Sequence, residues 1–370
     1  MGALSQNIWR ANYQYFKKVN TIMKIGIVTL PLHFNYGGIL QAFALQKTIE
    51  NLGFKAFIII QKPQNIKQKL KVFLYKKTKT YSFVKKNLIF LELHEPFHKH
   101  ELMTHNLKAL VVGSDQVWRP CMGSNRENNV NRYFLKTVPN NCIKKIAYAA
   151  SFGVDYWDFT ENETKTAQKL INEFSFVSIR ESSGIKLCSK YLNNSNAIHV
   201  LDPTMLVETE TYIKNIVKNP FKTHKTHCFL YLLDYNNNTN KHIVETLLPK
   251  DAELLIAQVE RNIIKKYFRE KNTVEDWLSA IYHSDIIITD SFHGCVFSIL
   301  FHKNFYVMSN KVGGNARIQS LLSLFNLNNR LINSTFIPQE KNAIDWNAID
   351  IQLQKLKKAS IAYLYKALKE

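Results

Sequence analysis

The chain is 370 residues long, 46% hydrophobic and 21% charged, ample for two cores of ordinary domain size and unlike a disordered chain. Lys and Arg number 49 against 29 Asp and Glu, and the net charge of +20 calls for a polyanionic partner: nucleic acid, an anionic membrane or a phosphorylated substrate. No run reaches the roughly eighteen apolar residues of a membrane span, and the cysteines (Cys121, Cys142, Cys188, Cys228, Cys295) form no CxxC pair, which argues against a disulfide framework or a zinc site and suits a reducing cytoplasm.

Residues 1–22 lack a continuous apolar segment and a small-residue cleavage site, so they read as an N-terminal extension and not a signal peptide, with Met23 an alternative start. A strand is expected from Lys24 to Leu30, then the loop PLHFNYGG and a helix from Ile39 to Leu52 that stops at Gly53. The apolar run Ala56–Ile60 reads as a buried parallel strand. Nine lysines and no acid follow between Lys62 and Lys86, interleaved with Leu70, Phe73, Tyr75, Tyr81 and Phe83. Such a mixture suits a phospholipid interface or a solvated basic linker; no DNA or RNA module accompanies it, so nucleic acid is not expected. Strands then read at Ala109–Val112, Ile146–Ala149, Phe176–Ile179 and Ile198–Leu201, the pattern of a doubly wound parallel sheet.

The pattern restarts near residue 207. Strands read at Cys228–Leu233, Leu254–Ala257, Asp285–Thr289 and Phe305–Met308, with helices near Lys241–Leu248, Val274–Tyr282 and Cys295–His302. The Asn cluster 236–240 reads as a loop. A terminal helix from Asp345 carries Leu353, Leu356, Tyr363, Leu364 and Leu368 on related faces and is expected to brace the domain junction. The expected division is an extension to 22, a Rossmann-like domain over 23–206 with a basic docking insertion at 62–90, a second Rossmann-like domain over 207–345, and the helix 346–370.

The distinctive polar clusters nearly all follow a strand's C-terminal end, where open parallel sheets bind ligands. In NYGG, Gly37 and Gly38 allow close backbone approach at a helix N-terminus, an anion-binding geometry, with Asn35 and Gln41 near enough to contribute; a plain tight turn fits equally. GSDQVW delivers Ser114, Asp115 and Gln116 from a buried strand, with Asp115 either a general base or a turn cap. Arg180, leaving its strand, is either a fork for a carboxylate or phosphate or half of an ion pair with Glu181 or another acid. In TDSFHG, Asp290 and His293 flank Ser291 at a strand-to-helix turn, and a histidine there can hand over a proton near neutral pH. GGNARIQSLL sets Gly313, Gly314 and Arg317 at a loop-to-helix start, with an ordinary exposed arginine as the plain reading.

Taken in order, KIGIVTL…NYGGILQAFALQ, VVGSDQVW, IAYAASFG, VSIRE, VLDPT, SDIIITDSFHG and GGNARIQSLL resemble the polysaccharide pyruvyl transferase family from Lys24 to about Leu331. The resemblance implies two Rossmann-like α/β domains facing a cleft in a glycosyltransferase-B-like fold. It also implies phosphoenolpyruvate as donor, a sugar hydroxyl pair as acceptor, and no metal or other cofactor. The family's donor-site arginine falls on Arg180, its histidine on His293, and its later basic residue on Arg317. Many members carry an arginine where this chain has Ser291, so the site has one cation fewer. With Asp115 as base, His293 as acid and Asp290 beside it, the expectation is ketal formation on a lipid-linked sugar, carried on polyprenyl pyrophosphate. The protein would then sit peripherally on the inner face of the cell membrane. The rivals are a nucleotide-sugar glycosyltransferase of the same fold and a non-catalytic membrane-associated binding protein.

Overall fold

A computed structural model of the chain describes residues 22–33, 35–95, 97–122, 125–139, 143–218, 226–233, 244–249, 251–257, 272–309, 315–332 and 343–370. Residues 1–21 of the N-terminal extension, the Asn cluster, Cys142, Gly313 and Gly314 lie outside them.

The first half builds a seven-stranded sheet, every paired strand parallel. Its strands are β1 (Lys24–Val28), β2 (Lys55–Gln61), β3 (Phe90–Leu93), β4 (Leu107–Val112), β5 (Lys144–Ala150), β6 (Phe176–Ile179) and β7 (Ile198–His199), in the order β3-β2-β1-β4-β5-β6-β7. The chain reverses its direction of winding between β1 and β4, and the crevice at that switch point is where such sheets take ligands. The second sheet is also parallel, with β8 (His227–Tyr231), β9 (Glu253–Ile256), β10 (Ile286–Thr289), β11 (Asn304–Met308) and β12 (Leu331–Ile332) in the order β12-β11-β10-β8-β9. Its switch point lies between β8 and β10.

Local chemistry explains the departures from expectation. Helix α1 (Tyr36–Asn51) starts three residues early because Asn35 caps it, its Oδ1 accepting the Gly38 amide at 3.0 Å. NYGG is thus the first turn of a helix and not a loop. The basic stretch folds into α2 (Ile66–Lys76) and α3 (Lys79–Asn87), capped by Asn65 and Thr78, and leads into the unexpected edge strand β3. Both helices turn a few apolar groups inward, Tyr75 from α2 and Phe83 and Val84 from α3, and their lysines outward. Strand β12 was also not expected: two residues carry too short a pattern to read.

Between the sheets the core is continuous. Buried Tyr212, on α8 (Thr209–Asn215), packs between Phe43 of α1 and Phe297, with ring centroids 6.2 and 5.1 Å away. The terminal helix α12 (Trp346–Lys369) starts on the second domain, where Trp346 stacks on His302, and finishes on the first, where Lys144 donates to the Ala367 carbonyl. Among the described residues, no helix is long and apolar enough to cross a membrane.

Candidate active site

Two helix N-termini meet where the sheets face each other. One is α1, capped by Asn35. The other is α10 (Phe292–Leu300), capped by Ser291, whose Oγ accepts the Gly294 amide at 3.4 Å. Both turn their first-turn amides and a partial positive charge toward the same cleft. His293 lies in the first turn of α10, 5% exposed, against Gly37: a Cβ built on Gly37 would fall 2.1 Å from the His293 Nδ1. The room that Gly37 provides is therefore taken by this imidazole. Gly38 similarly faces the side chains of Asn35 and Asp115.

From the first sheet come Arg180, Asp115 and Asp202, all buried. Arg180 Nη1 donates to Asp202 Oδ2 at 2.6 Å and to Ser114 Oγ at 3.2 Å, and Ser114 donates in turn to Asp202 at 2.8 Å. Asp115 Oδ1 lies 3.5 Å from Arg180 Nη2 and 3.9 Å from Arg317 Nη1, while its Oδ2 accepts from Asn35 Nδ2 at 3.0 Å. Arg317 rises from α11 (Ala316–Leu324), and its side chain is 11% exposed. The ring of Phe292 joins the two cations, with Arg180 Cζ 4.2 Å and Arg317 Cζ 5.8 Å from its centroid.

These charges shape one another. Burial alone would raise the carboxyls of Asp115 and Asp202, but Arg180 and His293 outweigh it in both and hold each below its usual range, Asp202 far below. Burial, reinforced by the positive charge of Arg180, pulls Arg317 down to about 10 against the pull of Asp115 and Glu181. Glu181, fully buried behind Arg180 with its Oε1 accepting the Phe152 amide at 2.8 Å, is pushed up by burial. In a folded protein that holds its arginine this way, a bound anion relieves an existing cost.

The sequence candidates separate into two groups. Asp115, Arg180, His293 and Arg317 converge. Gln41 is fully buried and gives its Nε2 to Thr29 and the Gly38 carbonyl, so it shapes the helix start and does not line the cleft. Gln116 Oε1 accepts from Arg119. Asp290, expected beside His293, accepts the Leu233 amide on its Oδ1 at 2.7 Å. The acid facing His293 is Asp202, with Oδ2 3.7 Å from Nε2. Asp115 is no free base: its carboxylate is held between guanidiniums with its proton affinity reduced. Arg180 combines both of its readings, since it is ion-paired, to Asp202 and Asp115 and not to Glu181, and still faces the cleft.

Asp202, Phe292 and Arg119 were not singled out from sequence. The first sits in the LDPT turn and the second inside SFHG, so their motifs were visible although their partners were not. Buried polar atoms remain at the centre: Arg180 Nε and Nη2 and His293 Nε2 make no hydrogen bond among the described residues. The same residues show no cluster of metal-ligating side chains.

Against known structures, the chain is similar to a putative UDP-N-acetylglucosamine 2-epimerase from Listeria monocytogenes at 10% identity and a TM-score of 0.50, over 93% of this chain and 91% of that one. It is equally similar, at 8% identity and a TM-score of 0.50 over 94% of each chain, to an alpha-glucosyltransferase solved with UDP and a 13-mer DNA. Identities this low speak for the fold alone: two Rossmann-like sheets in the glycosyltransferase-B arrangement. None of the curated proteins matches the chain by sequence. The family description "Polysaccharide pyruvyl transferase" matches residues 35–312, from the cap of α1 to just before α11, and the chain belongs to that family.

Proposed function

We propose that the chain moves the pyruvyl group of phosphoenolpyruvate onto two hydroxyls of one sugar, as a cyclic ketal, with release of inorganic phosphate. The observation that carries this reading is the set of buried Arg180 nitrogens without hydrogen bonds, beside Arg317 and at two facing helix N-termini. Phosphoenolpyruvate carries a carboxylate and a phosphate, and two guanidiniums with helix amides match both. Arg317 binds the donor directly. Arg180, tied to Asp202, offers its remaining edge.

The chemistry assigns the other groups. A proton delivered to the methylene carbon turns it into a methyl group and leaves C2 cationic, and a sugar hydroxyl attacks there. The first hydroxyl's proton goes back to the group that protonated the methylene, and the second hydroxyl then displaces phosphate: two C–O bonds form, the bond between C2 and the phosphate oxygen breaks, and the second hydroxyl's proton leaves with the phosphate. His293 delivers the proton, held by Asp202 on one side and Gly37 on the other. Asp115 keeps the two arginines apart and in place, a role that replaces the expected one of base. Asp290 anchors the second sheet's strand end.

A thermal-shift titration tests the donor, using phosphoenolpyruvate beside UDP-, GDP- and CMP-sugars on wild type and Arg317→Ala. Arg317 is the better probe because removing Arg180 would also strand Asp202. A saturable rise with phosphoenolpyruvate alone, lost in the variant, supports the reading. A rise with a nucleotide sugar instead would transfer the cleft to glycosyl chemistry.

A further inference from the structure

Helix α2 is amphipathic in the wrong sense for a helix that only covers a core. Its inward face is slight: Tyr75 is the one buried residue, and its hydroxyl donates to the Leu32 carbonyl in the loop after β1. Its outward face carries Ile66, Leu70 and Phe73 at i, i+4 and i+7, exposed by 83, 57 and 53%. An apolar stripe that open to water costs free energy unless something covers it. Exposed Lys67, Lys69, Lys71 and Lys76 flank the stripe, and Lys77 caps it with its Nζ 4.4 Å from the Phe73 ring. No acid falls between Glu50 and Glu92 to offset them.

We propose that this face of α2 docks on the surface of an anionic phospholipid bilayer. The three apolar side chains enter the interfacial layer and the surrounding ammonium groups meet lipid phosphates. The charge settles the choice of occupant: a second copy of a chain with net charge +20 brings the same lysines and repels, whereas an anionic bilayer supplies the opposite charge at every one of them. Through Tyr75 the helix is fastened to the loop that runs into Asn35, so docking sets the cleft rim beside the bilayer. Resting on the pyruvyl reading above, that placement suits a sugar acceptor carried on a lipid.

The test is co-sedimentation of the full chain with vesicles of phosphatidylcholine alone or mixed with phosphatidylglycerol. It compares wild type with Leu70→Ser/Phe73→Ser and with Lys67→Gln/Lys71→Gln. Wild type should pellet with the anionic vesicles only, less so at high salt. The lysine variant should lose about fivefold in partitioning per lysine. The serine variant should lose binding while its thermal midpoint and its shift with phosphoenolpyruvate stay as in wild type. Failure of wild type to bind anionic vesicles overturns the proposal, as does a serine variant that binds like wild type. So does a stripe whose loss changes only the monomer–dimer balance in sedimentation velocity. Vesicle binding that follows the stripe without any phosphoenolpyruvate shift would leave the docking face standing and remove the donor reading.

Discussion

Gly37 and His293 press together across the cleft, the first turn of one domain's helix against the first turn of the other's, with no room between them for a methyl group. A Cβ on residue 37 would lie 2.1 Å from Nδ1 and 2.6 Å from the histidine's own Cβ, so ring rotation alone does not clear it. Gly37→Ala must move the imidazole or separate the two helix ends. Overpacking of this kind costs about 1–3 kcal/mol, whereas a reacting group displaced by about 1 Å costs on the order of 10²-fold in rate. Turnover should fall far more than the thermal midpoint. A variant with native turnover would mean that the two turns are apart when the reaction occurs.

His293→Ala removes the proton donor but leaves both arginines and both helix ends. General acid help is worth about 10²–10⁴-fold, and that is the expected loss in phosphate release, with phosphoenolpyruvate affinity near that of wild type by calorimetry. Loss of affinity equal to the loss of rate would make the histidine a binding group and sink the acid role.

How far the site was legible follows from its geometry. Each polar cluster at a strand end was visible because a buried apolar run followed by Asp, Arg or His is unusual anywhere in a chain. Asp115, Arg180 and His293 were found in that way, and Arg317 from the loop-to-helix start in GGNARIQSLL. What stayed hidden was pairing. Asp202 and Ser114 are 88 residues apart, and nothing local to LDPT announces a carboxylate that holds an arginine. Asp290 stands three residues from His293, so proximity in sequence suggested a partner; the structure has Asp290 accepting the Leu233 amide and Asp202 in reach of the imidazole. The helices of the basic segment stayed hidden for another reason. Its outward Ile66, Leu70 and Phe73 blur the inward period set by Tyr75, Phe83 and Val84, and helices with apolar groups on both sides resemble a linker.

Asp202 binds the buried pair, and its loss should show a pH signature. Its carboxyl is held far below its ordinary range, so the folded state releases a proton more readily than the unfolded chain does. That contribution is complete above the ordinary aspartate value of about 3.9 and fades as pH falls toward the folded value. Asp202→Asn should therefore cost about 3–5 kcal/mol at pH 7, as expected when one partner of a buried pair is removed, and progressively less below about pH 4. Chemical denaturation across pH 3–7 measures it. A constant deficit over that range would mean that packing, and not the charge, is what Asn lacks.

Arg317 should trade stability for binding. Folding lowers its pKa to about 10, so the folded state holds the charged guanidinium less well than the unfolded chain does. Stability recovers with rising pH only between about 10 and the ordinary arginine value, and at pH 7 the full cost is carried. Arg317→Met keeps the bulk and removes the charge. It should melt higher than wild type at pH 7 yet lose the thermal shift with phosphoenolpyruvate, the pattern of a group kept for function. A variant that melts lower and still binds donor would make Arg317 a structural cation.

Glu181 tests the same field from behind. Burial raises its carboxyl against the opposing charges of Arg180 and Arg317, so over a window above the ordinary glutamate value of about 4.3 the folded state keeps a proton that the unfolded chain has released. Stability therefore falls as pH rises through that window and then levels off. Glu181→Gln keeps an oxygen for the Phe152 amide and has no charge to bury. The variant should match wild type below about pH 4 and melt higher at pH 7, the gap opening between those limits in thermal scans. A variant that melts lower than wild type at pH 7 would mean that ionised Glu181 is stabilised by the arginines more than burial penalises it. The cleft would then hold a negative charge that any incoming anion has to meet.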